Sequence, residues 1–333
     1  MTTLTIGKDP VQITLSGHTM GSDYAVKYIN WADGTPQPAP ETLKAAIDDR
    51  LQQVNDEMST YIPSSHISRI NQLRDTESYT PPCRATSPMF FQAALRINRI
   101  TQGGLDVTLG ALVNAWGFGP EPRGALPDAE ETARRAASVG MDKFELQQQG
   151  DATLLRKKHP DLYLDLSSIA KGFGVDKTAA ELEKLNIGNY LVEIGGELHG
   201  KGRNAQGNPW RIGIEQPNIV QGGATQITIP LDNKSLATSG DYRIFHVDKS
   251  GRRLSHIINP KTKQPISHNL ASISVVAENA TIADGLSTGL FVLGETEALK
   301  LAEQENLAVF LIIRNPQGGY HTKMSSAFKK LLN

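Results

Sequence analysis

Residues 144–194 read FELQQQGDATLLRKKHPDLYLDLSSIAKGFGVDKTAAELEKLNIGNYLVEI, and the changes of period along this stretch decide the fold class. Phe144–Gln148 and Thr153–Arg156 flank Gly150-Asp151, a turn pair that marks a hairpin. Leu162–Leu166 reads as a short apolar strand. The spacing then shifts: Val175, Ala179, Leu182 and Leu185 share one face of a helix expected over Gly172–Leu185. Tyr190–Ile194 returns to strand. Hairpins and strands therefore surround one helix, which is not the strict alternation of a parallel sheet.

Further strands follow on the C-terminal side at Arg211–Glu215, Gln226–Pro230, Ser272–Ala277 and Ala308–Ile313. Thr281–Leu293 and Glu295–Gln304 read as consecutive helices, and Phe328 lies near the end. On the N-terminal side, Val11–Leu15 and Tyr24–Tyr28 alternate around a turn-like Gly17–Ser22, and a polar, Pro-containing loop covers Asp33–Pro40. Leu43, Ile47, Leu51, Val54 and Met58 recur every three or four residues and define an amphipathic helix. Ser64 or Ser65 can cap a short helix with Ile67, Ile70 and Leu73. Ser87-Pro88 opens a helix to Thr101, Asp106 or Thr108 can cap Leu109–Trp116, and Pro127-Asp128 opens one to Val139. Strand runs joined by short turns outnumber βαβ units, so the expected class is α+β with largely antiparallel sheet and flanking helices.

The 333 residues suffice for one large domain or two lobes, and any division falls near 140–160. Hydrophobic residues make up 39% and charged residues 21%, as in a globular protein. A net charge of -1 without a Lys/Arg run argues against a nucleic-acid surface. One cysteine, Cys83 beside Arg84, excludes an internal disulfide and a thiolate zinc cluster. No run reaches the about 18–20 apolar residues that span a membrane. MTTLTIGKDPVQITLSG has no charged n-region and apolar h-region, so the chain as given reads as cytoplasmic, as would one with its export signal trimmed.

Four constellations carry chemistry-bearing residues. In Leu164-Asp165-Leu166-Ser167-Ser168-Ile169-Ala170-Lys171-Gly172 a strand gives way to a helix near a lysine. Free N–H groups and Lys171 suit a phosphate there, and on local pattern alone a plain turn capped by Ser167 or Ser168 fits better. It lacks the glycine spacing of a Walker loop. Glu193-Ile194-Gly195-Gly196-Glu197 permits close ligand approach or simply a bulge or tight turn, and its spacing is not a dinucleotide fingerprint. Ala237-Thr238-Ser239-Gly240-Asp241-Tyr242-Arg243 precedes Ser255-His256-Ile257-Ile258-Asn259-Pro260. His256 there is either structural or a proton carrier near neutral pH. In Thr281-Ile282-Ala283-Asp284-Gly285-Leu286-Ser287-Thr288-Gly289, Asp284 and Thr288 share a helix face, and their oxygens suit a hard cation such as Mg²⁺. The other reading of Asp284 is a cap or surface charge, although the small residues around it point to a close approach.

In this order, from about Gly17 to Gly294, the segments HTMGS, TYIPSSHISRIN, GGLDVTLGALVNAWGFGP, LDLSSIAKGFGVD, VEIGGELHGKG, WRIGIEQP, ATSGDYRIF, SHIINP and ADGLSTGLFVLG resemble the ApbE family of flavin transferases. The resemblance implies one T-fold-like α+β domain with its active site in a cleft between lobes. It implies Mg²⁺-dependent transfer of FMN from FAD, the donor substrate, to a threonine hydroxyl of an acceptor flavoprotein, with release of AMP. Implied acceptors carry a short Ser/Thr-containing sequence and include subunits of sodium-pumping quinone reductases. By position, Met20, Tyr61, Gly104, Leu105, Asp106, Asp165, Lys171 and Ile258 are the implied FAD contacts. The Ser168 carbonyl and the Asp284 and Thr288 side chains are the implied metal ligands, and His256 is implied to activate the acceptor threonine. Two positions depart from the family pattern. Serines stand at Ser167 and Ser168 where glycines are common, and Pro260-Lys261-Thr262-Lys263 lacks the usual final glycine, which bears on acceptor recognition. An FAD pyrophosphatase and a non-enzymatic FAD-binding protein are the alternative functions.

Overall fold

The computed structural model describes residues 10–30, 37–80, 87–150, 152–217, 225–242 and 244–332. Cys83 and Arg84, residues 33–36 of the Pro-containing loop, Asp151 of the expected hairpin turn and Arg243 lie outside the described residues.

The chain opens with a hairpin of β1 (Val11–Thr19) and β2 (Ser22–Asn30). The strands run further into the expected turn than their apolar alternation suggests, leaving only Met20 and Gly21, both at positive φ. This is the two-residue connection that matches strand twist. Helix α1 (Pro40–Met58) buries all five residues of its predicted stripe. In α2 (His66–Gln72) the Ser65 hydroxyl accepts from Ser68 N at 3.1 Å, while Leu73 stays exposed beyond the helix end. Then come α3 (Ser87–Ile100), α4 (Gly110–Ala115) and α5 (Ala129–Ala136). Asp128 caps α5 through Glu131 N at 2.8 Å, and the helix stops three residues short of Val139. Neither Asp106 nor Thr108 caps α4: Asp106 Oδ1 accepts from Thr108 N at 2.8 Å, and Thr108 Oγ1 accepts from Gly140 N at 2.7 Å.

Strands β3 (Phe144–Gln149) and β4 (Ala152–Lys157) form the expected hairpin. Leu162–Leu166 is not a strand. Its one ladder contact is an isolated bridge between Tyr163 and Leu109. Asn71 takes the place of a neighbouring strand, accepting from Leu164 N at 2.8 Å and donating to Leu164 O at 2.9 Å. Helix α6 (Ser167–Lys184) begins five residues before the expected Gly172, so Ser167 and Ser168 lie in its first turn and neither is its cap.

The remaining strands are β5 (Tyr190–Ile194), β6 (Glu197–Lys201), β7 (Trp210–Glu215), β8 (Thr225–Leu231), β9 (Lys234–Gly240), β10 (Phe245–Val247), β11 (Arg253–Ser255) and β12 (Leu270–Ala277). After them come α7 (Ala280–Gln304), β13 (Ala308–Arg314), β14 (Tyr320–Met324) and α8 (Ser326–Lys329), which holds the buried Phe328. Helix α7 contains both predicted helical segments, joined across a kink at Gly294.

Eight strands make one sheet in the order β1-β2-β5-β6-β9-β12-β13-β14, and every neighbouring pair is antiparallel. The expected α+β class with antiparallel sheet is what forms. Alternation sorts the sheet's two faces. Tyr190, Val192 and Ile194 of β5 pack with Leu43, Ile47 and Leu51 of α1 and with Val175 and Leu182 of α6. Val309, Leu311 and Ile313 of β13 join the largest core cluster with α3, α6 and α7. Phe310 and Ile312 turn to the other face, which the β7–β8 ribbon and α8 cover through Trp210, Ile229 and Phe328. The largest cluster draws on residues from Val54 to Ile313, so segments on both sides of 140–160 share it. Helices α6 and α7 therefore lie on the same sheet face, against each other.

Candidate active site

Small residues set how closely α6 and α7 approach. An added Cβ at Gly172 would stand 2.2 Å from the Ala280 carbonyl oxygen and 2.8 Å from Asp284 Cβ. The contact lets Gly172 N donate to Asp284 Oδ2 at 2.9 Å. In a regular helix that N–H points to the carbonyl four residues back, which is Ser168. That N–H thus ties the first turns of α6, which carry Ser168, to the Asp284 carboxylate 116 residues further along the chain. A second tie fixes the crossing. Asp176 of α6 accepts from Ala280 N at 2.8 Å and Thr281 N at 2.9 Å, placing an anion at the positive end of α7.

Asp284 is only 3% exposed and lies inside α7, which removes the reading of a cap or surface charge. Burial pushes its carboxyl well above the ordinary carboxylate range, and the neighbouring Glu197 adds to the effect. Lys171 and the Gly172 N–H oppose both. Such a carboxyl gains from a nearby cation. One turn along the same face, Thr288 Oγ1 lies 3.1 Å from Ser239 Oγ of β9, which also meets Ser287 Oγ at 2.8 Å. The donor set is therefore all oxygen. No group of three or more His, Cys, Asp or Glu side chains is arranged to hold a metal ion among the described residues. One carboxylate, a hydroxyl and a carbonyl fit Mg²⁺, which fills most of its shell with water and phosphate oxygens.

These residues edge two adjoining cavities. One, of about 120 Å³, is lined by Gly104, Leu105, Asp106, Asp165, Ser168, His256, Ile258 and Thr288 among others. The other, of about 570 Å³, is lined by Met20, Tyr61 and Ala170 with the end of α1. Asp165 and Ser167 belong to both and stand where the two adjoin. Asp165 Oδ1 accepts from Ser167 N at 2.9 Å, which tightens the first turn of α6. Burial raises the Asp106 carboxyl, and its bonds from Thr108 oppose the shift. Gly104 lies so close to Gly289 of α7 that a Cβ would meet its carbonyl oxygen at 2.3 Å. Tyr61 reaches across the open end, donating from its hydroxyl to Phe118 O at 3.2 Å.

His256 lines the smaller cavity. Its Nδ1 lies 3.0 Å from the Ile244 carbonyl, which can only accept. The neutral ring therefore carries its proton on Nδ1 and keeps a lone pair on Nε2. Burial lowers its pKa from the usual 6.5, and the Ile244 carbonyl and Asp241 pull the other way. The ring meets Phe118 edge-on at 6.3 Å.

Of the sequence-predicted residues, all but Lys171 and Asp284 line the two cavities. Lys171 forms an ion pair with the buried Glu197, whose second oxygen accepts from Thr238 N at 3.3 Å. Sequence reasoning singled out neither Glu197 nor Ser239 and Asp176. Glu197 stands directly after the Gly195-Gly196 turn, where both glycines hold positive φ, and a carboxylate starting an otherwise buried strand was the available signal. The Gly-rich segment is that tight turn between β5 and β6.

The ApbE family profile matches residues 20–311. The FAD:protein FMN transferase of Haemophilus influenzae is 50% identical over 326 residues, covering 97% of this chain and 92% of that protein. The FAD:protein FMN transferase of Vibrio cholerae is 42% identical over 330 residues, covering 98% and 94%. Among solved structures, the flavin transferase ApbE from Vibrio cholerae is similar with a TM-score of 0.86 at 41% identity, covering 97% of this chain and 99% of that one. The apo flavinyl transferase ApbE of Pseudomonas stutzeri also gives 0.86, at 38% identity, with 97% and 98% covered. A profile match over most of the chain, and relatives of this identity along nearly their whole length, mean that the protein belongs to the ApbE family.

Proposed function

We propose that this protein transfers the FMN half of FAD to a threonine hydroxyl of an acceptor protein in a magnesium-dependent reaction that releases AMP. The relatives named FAD:protein FMN transferase support the reaction class. The observation that carries the reading is that His256, Asp165, Ser168 and Thr288 line one cavity, with Asp284 tied to the same helix turn as Ser168. A proton acceptor and a hard cation in that cavity would serve displacement at a pyrophosphate.

The larger cavity, between Met20, Tyr61 and the end of α1, takes the flavin nucleotide, and its pyrophosphate lies toward the first turn of α6. Asp284, Thr288 and the Ser168 carbonyl would hold magnesium, which when bound offsets negative charge on the pyrophosphate oxygens. Lys171, held by Glu197, adds a fixed positive charge behind them. The threonine oxygen forms a bond to the phosphorus on the riboflavin side. The bond from that phosphorus to the oxygen it shares with AMP breaks, and its electron pair leaves with AMP. The hydroxyl proton passes to His256 Nε2.

The test is incubation of the protein with FAD, MgCl₂ and a recombinant acceptor fragment, followed by mass spectrometry. An FMN adduct on threonine, with one AMP per adduct, is expected. Conversion of FAD to free FMN and AMP at the same rate without acceptor, and no adduct with it, would replace the reading with a pyrophosphatase.

A further inference from the structure

Transfer to a polypeptide requires a surface that brings a threonine to His256 Nε2, and no residue discussed so far supplies one. Strands β10 and β11 form a two-stranded ribbon that ends at Ser255, immediately before His256. Ile244, the residue just before the ribbon, also holds that ring through its carbonyl at 3.0 Å. Leu254 of β11 is buried with Leu109, Leu112, Trp116 and Ile258, so this strand is anchored. Ile244, just before β10, and Val247 at its end are 56% and 57% exposed. Large apolar side chains left open beside a reaction centre mark a binding surface. Phe118 continues the surface toward the cavity, stacking on His246 at 4.2 Å and meeting His256 edge-on.

Arg123, Lys249 and Arg253 are exposed on and beside the ribbon, and the exposed Arg252 pairs with Asp248. The acid of the ribbon's own turn, Asp248, is spent internally on Ser250 N and Arg252 N, both at 2.9 Å, and on Arg252 Nε at 3.1 Å. An incoming chain therefore meets two exposed apolar side chains, one at each end of β10, with basic side chains beside them.

We infer that the β10–β11 ribbon, continued by Phe118, is the docking surface for the acceptor polypeptide. It takes a segment with apolar side chains near its threonine, for Ile244 and Val247, and acidic side chains for the basic ones beside them. The inference rests on the transferase reading and names the partner of the same site. It also gives Ile244 a second consequence: the residue whose side chain meets the acceptor is the one whose carbonyl sets the His256 tautomer.

The test uses the full chain and two fluorescent 15-residue peptides, each with a central threonine between leucines and valines, one flanked by aspartates and one by lysines. Anisotropy at about 50 mM salt should give at least about tenfold tighter binding of the acidic peptide, with the gap narrowing as added salt screens the basic side chains. Ile244→Asp combined with Val247→Asp should weaken the acidic peptide at least about tenfold, as should Lys249→Glu to a smaller degree. FAD binding, followed by flavin fluorescence, should not change, because no FAD-site side chain is altered. Equal affinity for the two peptides, no binding of either, or binding indifferent to the substitutions overturns the docking surface. So does finding that the double variant abolishes self-association of the wild type and spares peptide binding. The adduct assay reports on the transferase reading separately, since peptide binding is measured without chemistry.

Discussion

Replacing Gly172 with alanine tests the α6–α7 crossing on which the site depends. In an ordinary helix interior the change is favourable by about 1 kcal/mol, because alanine loses less backbone freedom on folding. Here the new Cβ would stand 2.2 Å from the Ala280 carbonyl oxygen and 2.6 Å from its carbon. Both are backbone atoms at the start of α7, which Asp176 holds through two amides. No flexible side chain can yield, so the helices must part by roughly 1 Å, an overpacking cost of about 1–3 kcal/mol. Parting also stretches the Gly172 N–Asp284 Oδ2 bond from 2.9 Å toward the limit of a hydrogen bond. A bond to a charged group is worth about 1.5–3 kcal/mol. The losses outweigh the propensity gain, leaving a net destabilisation of about 2–4 kcal/mol. Urea unfolding followed by circular dichroism measures it. Gly188→Ala is the control, since nothing lies within 4 Å of its added Cβ, and it should change stability by less than about 0.5 kcal/mol. If Gly172→Ala matches or exceeds wild-type stability, the close approach of α6 and α7 is not what places Asp284.

Asp284→Asn keeps an oxygen for the Gly172 amide and removes the charge. It should lower metal-dependent transfer at least about 100-fold and abolish Mg²⁺ binding in calorimetry, with the fold intact by circular dichroism. Full activity in this variant would remove the metal assignment. For His256 the depressed pKa sets the sign of the pH dependence. Its neutral, proton-accepting form persists below pH 6.5, so activity is lost only as pH falls through that lower pKa. The acid limb of kcat/KM should therefore lie below pH 6.5 and vanish in His256→Ala along with about 100-fold or more of the rate. An unchanged limb in that variant would assign it to another group. Lys157 is 1% exposed and donates to the Leu73 carbonyl at 2.7 Å and the Pro160 carbonyl at 3.0 Å. Lys157→Met should cost about 2–4 kcal/mol by leaving those carbonyls dry, and a loss below about 1 kcal/mol would show that water replaces the ammonium.

Local patterns were legible wherever a single element carried its own signal. The five-residue stripe of α1 is buried as read, and Gly294 divides the last long helix where the sequence divides it. Leu162–Leu166 misled because apolar alternation reports burial and says nothing of who supplies the hydrogen bonds. Asn71, 93 residues away in sequence, satisfies Leu164 with its amide, so no ladder forms. The start of α6 was misplaced for a related reason. Glycine is a poor interior residue by propensity, yet Gly172 sits inside α6 because only a residue without Cβ fits against Ala280. Strands β6 and β9 escaped notice since their partners are non-local and they carry glycines and polar residues.

The same distinction explains the site. Asp284 and Thr288 were legible as a pair because a helix turn relates them, and His256 because a lone histidine stands out in a turn-rich segment. Glu197 was not, since its meaning arises only when β6 lies beside α6 and its carboxylate meets Lys171. Glu197 also adds to the upward shift of the Asp284 carboxyl that Lys171 opposes. The lysine therefore stands between two acids, one holding it and the other facing the cation site. Glu197 keeps Lys171 in place, and the positive charge of Lys171 draws the Asp284 carboxyl back toward the ionised form that a cation needs. The Gly172–Ala280 contact keeps α6 and α7 close enough for this arrangement, so packing in the core and charge at the cleft are set by one helix crossing.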